Sequence, residues 1–238
     1  MAPKTSDAFV DELKAMVAAR NANLDHPFAR KIMQGEVTRD GLRIWAAQRY
    51  KGITGMGAMS LIPLLAKAPD DAVRKHMWEV IGEEGGFTGA PSHSGWLLHF
   101  GKALGMTEEE FENARPLTET VAVRSFFMYK MAQGSFVEAL SSMVPVESQN
   151  PPAFVHWAAS LEKNYGIARK DLAWFIGHVE ADSDDGGHGG EGWKVISRCA
   201  STDALRDTVR NSVREALDIY WLSLDGIQRA AEQAGARA

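Results

Sequence analysis

The chain has a single cysteine, Cys199, among its 238 residues. One thiol excludes an internal disulfide, a thiolate metal cage and a CxxC redox pair. Any metal that this protein binds must therefore be held by nitrogen and oxygen ligands.

Long hydrophobic runs and long basic runs are also missing. No apolar stretch approaches about 18 residues, and the N-terminal MAPKTSDAFVDELK lacks the charged-then-apolar order of a secretory signal. We therefore expect a cytoplasmic protein without a membrane partner. The 26 basic and 31 acidic residues give a net charge of −5 without a cationic cluster, so nucleic acid is not expected as a partner.

Alternation of the strand type is nearly absent, whereas apolar residues recur at helical spacing. An example is the stripe Leu205, Val209, Val213, Leu217 and Trp221. Glycine- and proline-rich breaks divide the chain into about eight to ten such segments. The pattern predicts an all-α protein.

Two helix starts can be located from capping-box spacing, at Thr107 with Glu110 and at Ser135 with Glu138. This gives Glu138 a structural role. No linker or repeat divides the chain, so residues 1–238 are expected to form one domain, a compact helical bundle.

Three polar segments stand out: GEEGGFTGAPSH, VPVESQNP and FIGHVEADSDDGGHGG. In the third, His178 and Asp182 are four residues apart, and such residues share one face of a helix. Carboxylates and neutral imidazoles from facing helices are the ligands that a pair of iron or manganese ions needs in a bundle. The candidate ligands are Glu83, His93, Glu147, His178, Asp182 and His188.

Two of these ligands have rivals. Glu84 competes with Glu83, because a one-residue step rotates a side chain by about 100° and only one of the pair can face inward. Asp185, three residues beyond Asp182, competes with His188. The residues alone leave both choices open.

Over nearly its whole length the chain resembles the PqqC/TenA-type, haem-oxygenase-like helical bundles. FVDELKAMVAARNANLDHPFARKIMQGEVTRDGLRIWAAQRY is similar to the PqqC opening, with its His-Pro-Phe segment, short Gly turn and Leu-Arg-x-Trp helix. The later segments resemble those of the haem-oxygenase-like diiron oxidases, whose pattern is Glu…His, Glu and His-x3-Asp-x2-His.

This resemblance favours Glu83 over Glu84, because the ten residues between Glu83 and His93 are similar to the spacing of the N-oxygenating branch. The third motif departs from the pattern. Its expected last histidine falls on Asp185, and His188 follows three residues later. We expect a bulge or an unwound turn to bring His188 to the metal.

The resemblance implies two Fe(II) ions per chain, with manganese as an alternative, and dioxygen as a co-substrate. It also implies a homodimer and a small, amino-acid-derived substrate that undergoes N-oxygenation or C–C or C–H cleavage in a biosynthetic pathway. One alternative is a cofactorless PqqC-like oxidase that uses His26, His93, Arg43 and Arg49. The other is a metal-binding helical protein without catalytic activity.

Overall fold

The computed structural model describes residues 8–52, 54, 57–183 and 188–236, with the backbone alone for residues 188 and 189. It is 81% helical, and the described residues contain no strand. The predicted all-α fold is confirmed. The helices are α1 (Ala8–Ala19), α2 (Ala22–Asp25), α3 (Pro27–Gln34), α4 (Arg39–Gly52), α5 (Ile62–Ala66), α6 (Asp71–Glu84), α7 (His93–Ala103), α8 (Glu108–Asn113), α9 (Thr118–Gln133), α10 (Phe136–Glu147), α11 (Asn150–Tyr165), α12 (Ala173–Ala181), α13 (His188–Cys199) and α14 (Asp203–Gly235).

Both predicted capping boxes are present. The hydroxyls of Thr107 and Ser135 accept hydrogen bonds from the backbone N–H groups of Glu110 and Glu138, whose carboxylates bond back to the cap. The second box fixes the start of α10, a helix of 12 residues. The length of α10 then carries its last residue, Glu147, to the candidate site.

Helix α14 is 33 residues long and packs along α10, α4 and α9. The predicted apolar stripe faces these helices, with Val209, Val213 and Leu217 buried and its two ends partly exposed. No helix in the described part of the chain has the length and apolarity that a membrane crossing needs. Helix α14 thereby supports α10, the helix whose last residue is the candidate ligand Glu147.

The core consists of two apolar clusters. One is built around Trp45 and Trp157, and the other includes Ile81. They meet on α10, where Val144 belongs to the second cluster and Val146 to the first. The residue that follows Val146 is the candidate ligand at position 147, so the site lies at the junction of the clusters.

Substitution of Trp157 tests the packing of this core. It is fully buried against Trp45, and its indole N–H donates to the backbone carbonyl of Asn23 at 2.8 Å. Trp157→Ala removes both contacts and leaves a cavity, so we expect the free energy of unfolding to fall by about 3–5 kcal/mol in urea titrations. Val155→Ala, at an exposed position on the same helix, should change it by less than about 1 kcal/mol. Equal losses would contradict this packing.

Candidate metal centre

Five donor side chains come together from the ends of three helices and the start of a fourth. Glu84 is the last residue of α6, His93 the first of α7 and Glu147 the last of α10. His178 lies in the last turn of α12, and Asp182 is the C-cap of that helix. The three polar segments of the sequence therefore meet in one region of the bundle.

The closest contact in this group joins His93 and Glu84. Nδ1 of the buried imidazole lies 2.8 Å from Oε1 of the carboxylate, yet this nitrogen makes no aligned hydrogen bond. Two ligand atoms of one metal ion lie about 3 Å apart and direct their lone pairs at the ion, not at each other. The 2.8 Å separation is that of an ion pair, and it is also close to the distance between two ligands of one ion.

Stacking fixes the ring of His93. The Trp96 ring lies parallel to it, with centroids 4.6 Å apart and planes inclined by 19°, and the ring of His178 packs nearby at 4.5 Å. The N-cap Ser92, whose hydroxyl accepts from the backbone N–H of Gly95, sets where α7 begins. The imidazole of His93 therefore has a defined orientation in the site.

His178 is held in the neutral form that a metal ligand requires. Its Nδ1 lies 2.6 Å from the carbonyl oxygen of Trp174, and because a carbonyl only accepts, Nδ1 carries the proton. Nε2 keeps its lone pair. Burial, and then the neighbouring His93, lower the pKa of His178 to about 3. Metal-bound histidines commonly donate their second N–H to a backbone carbonyl in this way.

The carboxylates hold protons more tightly than usual. Burial, and then the nearby Glu84 carboxylate, raise the pKa of Glu147 from 4.5 to about 7. Burial, and then Glu147, raise the pKa of Asp182 well above its ordinary value, although Nδ2 of Asn150 donates to Asp182 at 2.7 Å. Carboxyl groups crowded in a dry space in this way favour a cation among them.

A cavity of about 90 Å³ opens onto these donors. Glu84, Glu147 and His178 form its polar side, whereas Asp182 faces a different cavity and reaches this one through its bond with Asn150. The opposite side is apolar. It is lined by Leu61, Phe127, Met128, Met131, Met143, Val146 and Trp174.

The donors fit iron by their chemical type. Two imidazoles and three carboxylates provide the nitrogen and oxygen atoms that iron and manganese accept, and the raised pKa values of the carboxyls indicate a place for positive charge. Within the described residues, no three His, Cys, Asp or Glu side chains are already arranged around one point. The donors therefore fit iron in their chemical type and in lying in one region of the bundle.

The structure separates Glu83 from the other predicted ligands. Its side chain is exposed and lines an outer groove, whereas Glu84 turns inward to His93. The physical reason is the 100° step along α6, which allows only one of the two to face the site. The backbone of His188 begins α13, but its side chain, like all of Asp185, lies outside the described residues.

Two further residues of the site were not among the predicted metal ligands. Asn150, the first residue of α11, bonds Asp182. Arg49 on α4 lines the cavity, and its guanidinium lies 5.7 Å from the ring centroid of Trp174 and 5.3 Å from that of Tyr220. Arg49 belongs to a distant part of the chain, and Asn150 lies on the helix after the one that carries Glu147. Their contacts depend on how the helices pack, which a local sequence pattern does not reveal.

The residues proposed for cofactorless oxidation are dispersed. His26 caps α3, its Nδ1 accepting from the N–H of Phe28, and its Nε2 lies 3.1 Å from Asp225. Arg43 pairs with Glu110 at the surface. Only His93 and Arg49 of that set lie near the candidate centre.

Comparison with known proteins identifies the family. The sequence profile of a family described as "Iron-containing redox enzyme" matches residues 45–221, well over half of the chain. The chain belongs to this family. Its membership makes it an oxidoreductase of an iron-containing class and agrees with the donor chemistry described above.

Relatives of known name extend over most of the chain. A 4-aminobenzoate synthase from Chlamydia muridarum is 27% identical over 225 residues, which are 94% of this chain and 91% of the relative. A pyrroloquinoline-quinone synthase from Xanthomonas campestris is 25% identical over 239 residues, covering 92% and 88%. A solved structure from Shewanella denitrificans, described as having a heme oxygenase-like fold, superposes with a TM-score of 0.77 at 16% identity, covering 96% and 94%. The haem-oxygenase-like fold is therefore confirmed.

The raised pKa of Glu147 predicts how the metal-free protein responds to pH. The folded protein keeps this proton up to about pH 7, whereas the unfolded chain releases it near 4.5. Between these values the unfolded state binds fewer protons, so stability should fall as pH rises. Urea midpoints of chelator-treated protein at pH 5 and pH 8 measure the fall.

The matched variants are Glu147→Gln and Glu180→Gln. The first removes the titrating group and should make the fall in stability smaller, while the second changes an exposed residue of α12 and should leave it as in the parent. If Glu147→Gln keeps the full pH dependence, this carboxyl is not the buried group that titrates.

Proposed function

We propose that this family member is a dioxygen-dependent, non-haem diiron oxidase acting on a small, amino-acid-derived substrate. The observation that carries the proposal is the Glu84–His93 contact beside a neutral His178 whose Nε2 is free to bind. Glu84 takes the place that the sequence pattern assigned to Glu83. The proposed ligands are Glu84, His93, Glu147, His178, Asp182 and His188.

Two ferrous ions, when bound, would supply the electrons that reduce dioxygen. The protonation states of the donor side chains suit the binding of these ions. His178 is already neutral, and the partly buried Glu147 and the buried Asp182 would release their protons to a cation. The apolar wall of the cavity limits water near the reacting groups, and a dry site strengthens every electrostatic contact within it.

Arg49 supports a substrate that carries a carboxylate. Its guanidinium lies in the same cavity as His178, and its buried Nε has no hydrogen-bond partner among the described residues. Arginine binds carboxylates through paired, charge-assisted hydrogen bonds. The relative named 4-aminobenzoate synthase is named for a compound with both an amine and a carboxylate, which agrees with this class of ligand.

The neighbouring glutamates of α6 provide a matched test of the ligand set. We expect Glu84→Ala to lose most of the iron bound after anaerobic reconstitution, because it removes a direct ligand, and Glu83→Ala to keep the parent's content of about two ions per chain. Elemental analysis after gel filtration measures both. Iron loss in Glu83→Ala alone would restore Glu83 as the ligand, and no iron in the parent would favour a cofactorless oxidase.

Reaction with dioxygen distinguishes an oxidase from a metal-binding protein. The ferrous protein, mixed with oxygenated buffer and a panel of amino acids, should show absorbance changes whose rate depends on one substrate. His178→Ala should abolish them, because it removes a ligand. An unchanged helical circular dichroism spectrum would show that the bundle still folds without this buried side chain beside Trp174. Slow oxidation that is the same with every amino acid would indicate metal binding without catalysis.

A further inference from the structure

A groove of about 670 Å³ lies on the outside of the candidate centre, between α6, α12 and the start of α13. Four carboxylates line it, and we call it the acidic groove: Glu79 and Glu83 of α6, Glu180 of α12 and Glu191 of α13. All four are exposed. Among the described residues that line it there is no lysine or arginine.

The acidic groove ends at a ligand of the proposed centre. His93 and Trp96 form part of its lining, and His93 is only 4% exposed. Nδ1 of this imidazole makes no hydrogen bond and faces Glu84, which lines the inner cavity. The groove and the inner cavity are thus connected through the contact between His93 and Glu84.

Trp96 shapes the inner end of the groove. Its ring lies against Gly177, where a Cβ would come within 2.5 Å of the indole, and Gly177 directly precedes His178. The missing side chain lets the indole lie close to α12 while stacking on His93. The floor of the groove is therefore in contact with both histidines of the centre.

Lysines at the rim offset only part of the negative charge. Lys75 lies 3.9 Å from Glu79, and Lys194 lies 3.0 Å from Glu191. Both lysine side chains are largely exposed, and pairs of this kind interact weakly in water. The lining carries four carboxylates beside the imidazoles of His76 and His93, and an excess of acidic side chains of this kind attracts cations.

We propose that the acidic groove is the route by which divalent metal ions reach the centre, with His93 the proposed ligand that lies in its lining. This inference rests on the proposed metal centre. The inner cavity offers a less suitable path, because the guanidinium of Arg49 lies in its lining and repels cations, and apolar side chains such as Phe127 and Met131 make up much of the rest. Glu83 then serves metal uptake instead of coordination.

The rate of metal uptake tests the route without any assay of catalysis. Chelator-treated, full-length protein is mixed with cobalt(II) chloride in a stopped-flow instrument, and quenching of tryptophan fluorescence follows loading, since Trp96 and Trp174 contact the two histidines. Glu79→Gln with Glu180→Gln removes two groove charges outside the proposed ligand set. We expect loading about tenfold slower at low salt, nearly equal rates at about 1 M salt, and an unchanged number of ions bound.

The control removes the same charge elsewhere, as Glu109→Gln with Glu162→Gln on α8 and α11, both exposed. It should load at the parent rate. A groove variant that loads as fast as the parent, or a control that is slowed equally, overturns the route and leaves the proposed centre standing. Fewer ions bound by the groove variant would also overturn it, by making these carboxylates ligands. A parent that takes up no metal refutes the centre as well.

Discussion

The structure is organised around the burial of like charges in one small space. Glu84, Glu147 and Asp182 approach one another where burial and their mutual repulsion raise the pKa values of Glu147 and Asp182. In a low-dielectric interior such groups are tolerated only with protons, hydrogen bonds or a cation. Asn150 supplies one hydrogen bond, Arg49 a nearby positive charge, and the proposed metal ions the remainder.

Helix ends make this arrangement possible. Four donors lie at or next to a helix terminus, at the end of α6, the start of α7 and the ends of α10 and α12. Long helices therefore provide a rigid, apolar surround, and polar side chains enter only where the helices stop. The same arrangement gives the centre two unlike sides, a cavity with many apolar side chains in its lining and an acidic groove.

Much of the fold and of the site could be predicted from the sequence, because these features depend on local or periodic patterns. The apolar stripe of α14, the capping boxes at Thr107 and Ser135, and the grouping of polar residues into three segments are all readable along the chain. The choice between Glu83 and Glu84 could not be read along the chain, because the spacing typical of the family favoured Glu83, which faces outward. The neighbours that pack against a helix decide which of its residues face inward, and two adjacent residues of the same type give no sign of that choice.

The sequence by itself therefore determined the helical class, the lack of a second cysteine that an internal disulfide or a CxxC pair would need, the likeness to iron-containing redox enzymes and the three segments that carry donors. These depend on residue type and on spacing within a segment. Only the tertiary structure decided that Glu84 faces His93, that Asn150 supports Asp182, and that an acidic groove reaches the same imidazole. Those contacts join residues on different helices, and the packing of the helices, not the order of residues, sets the distances between them.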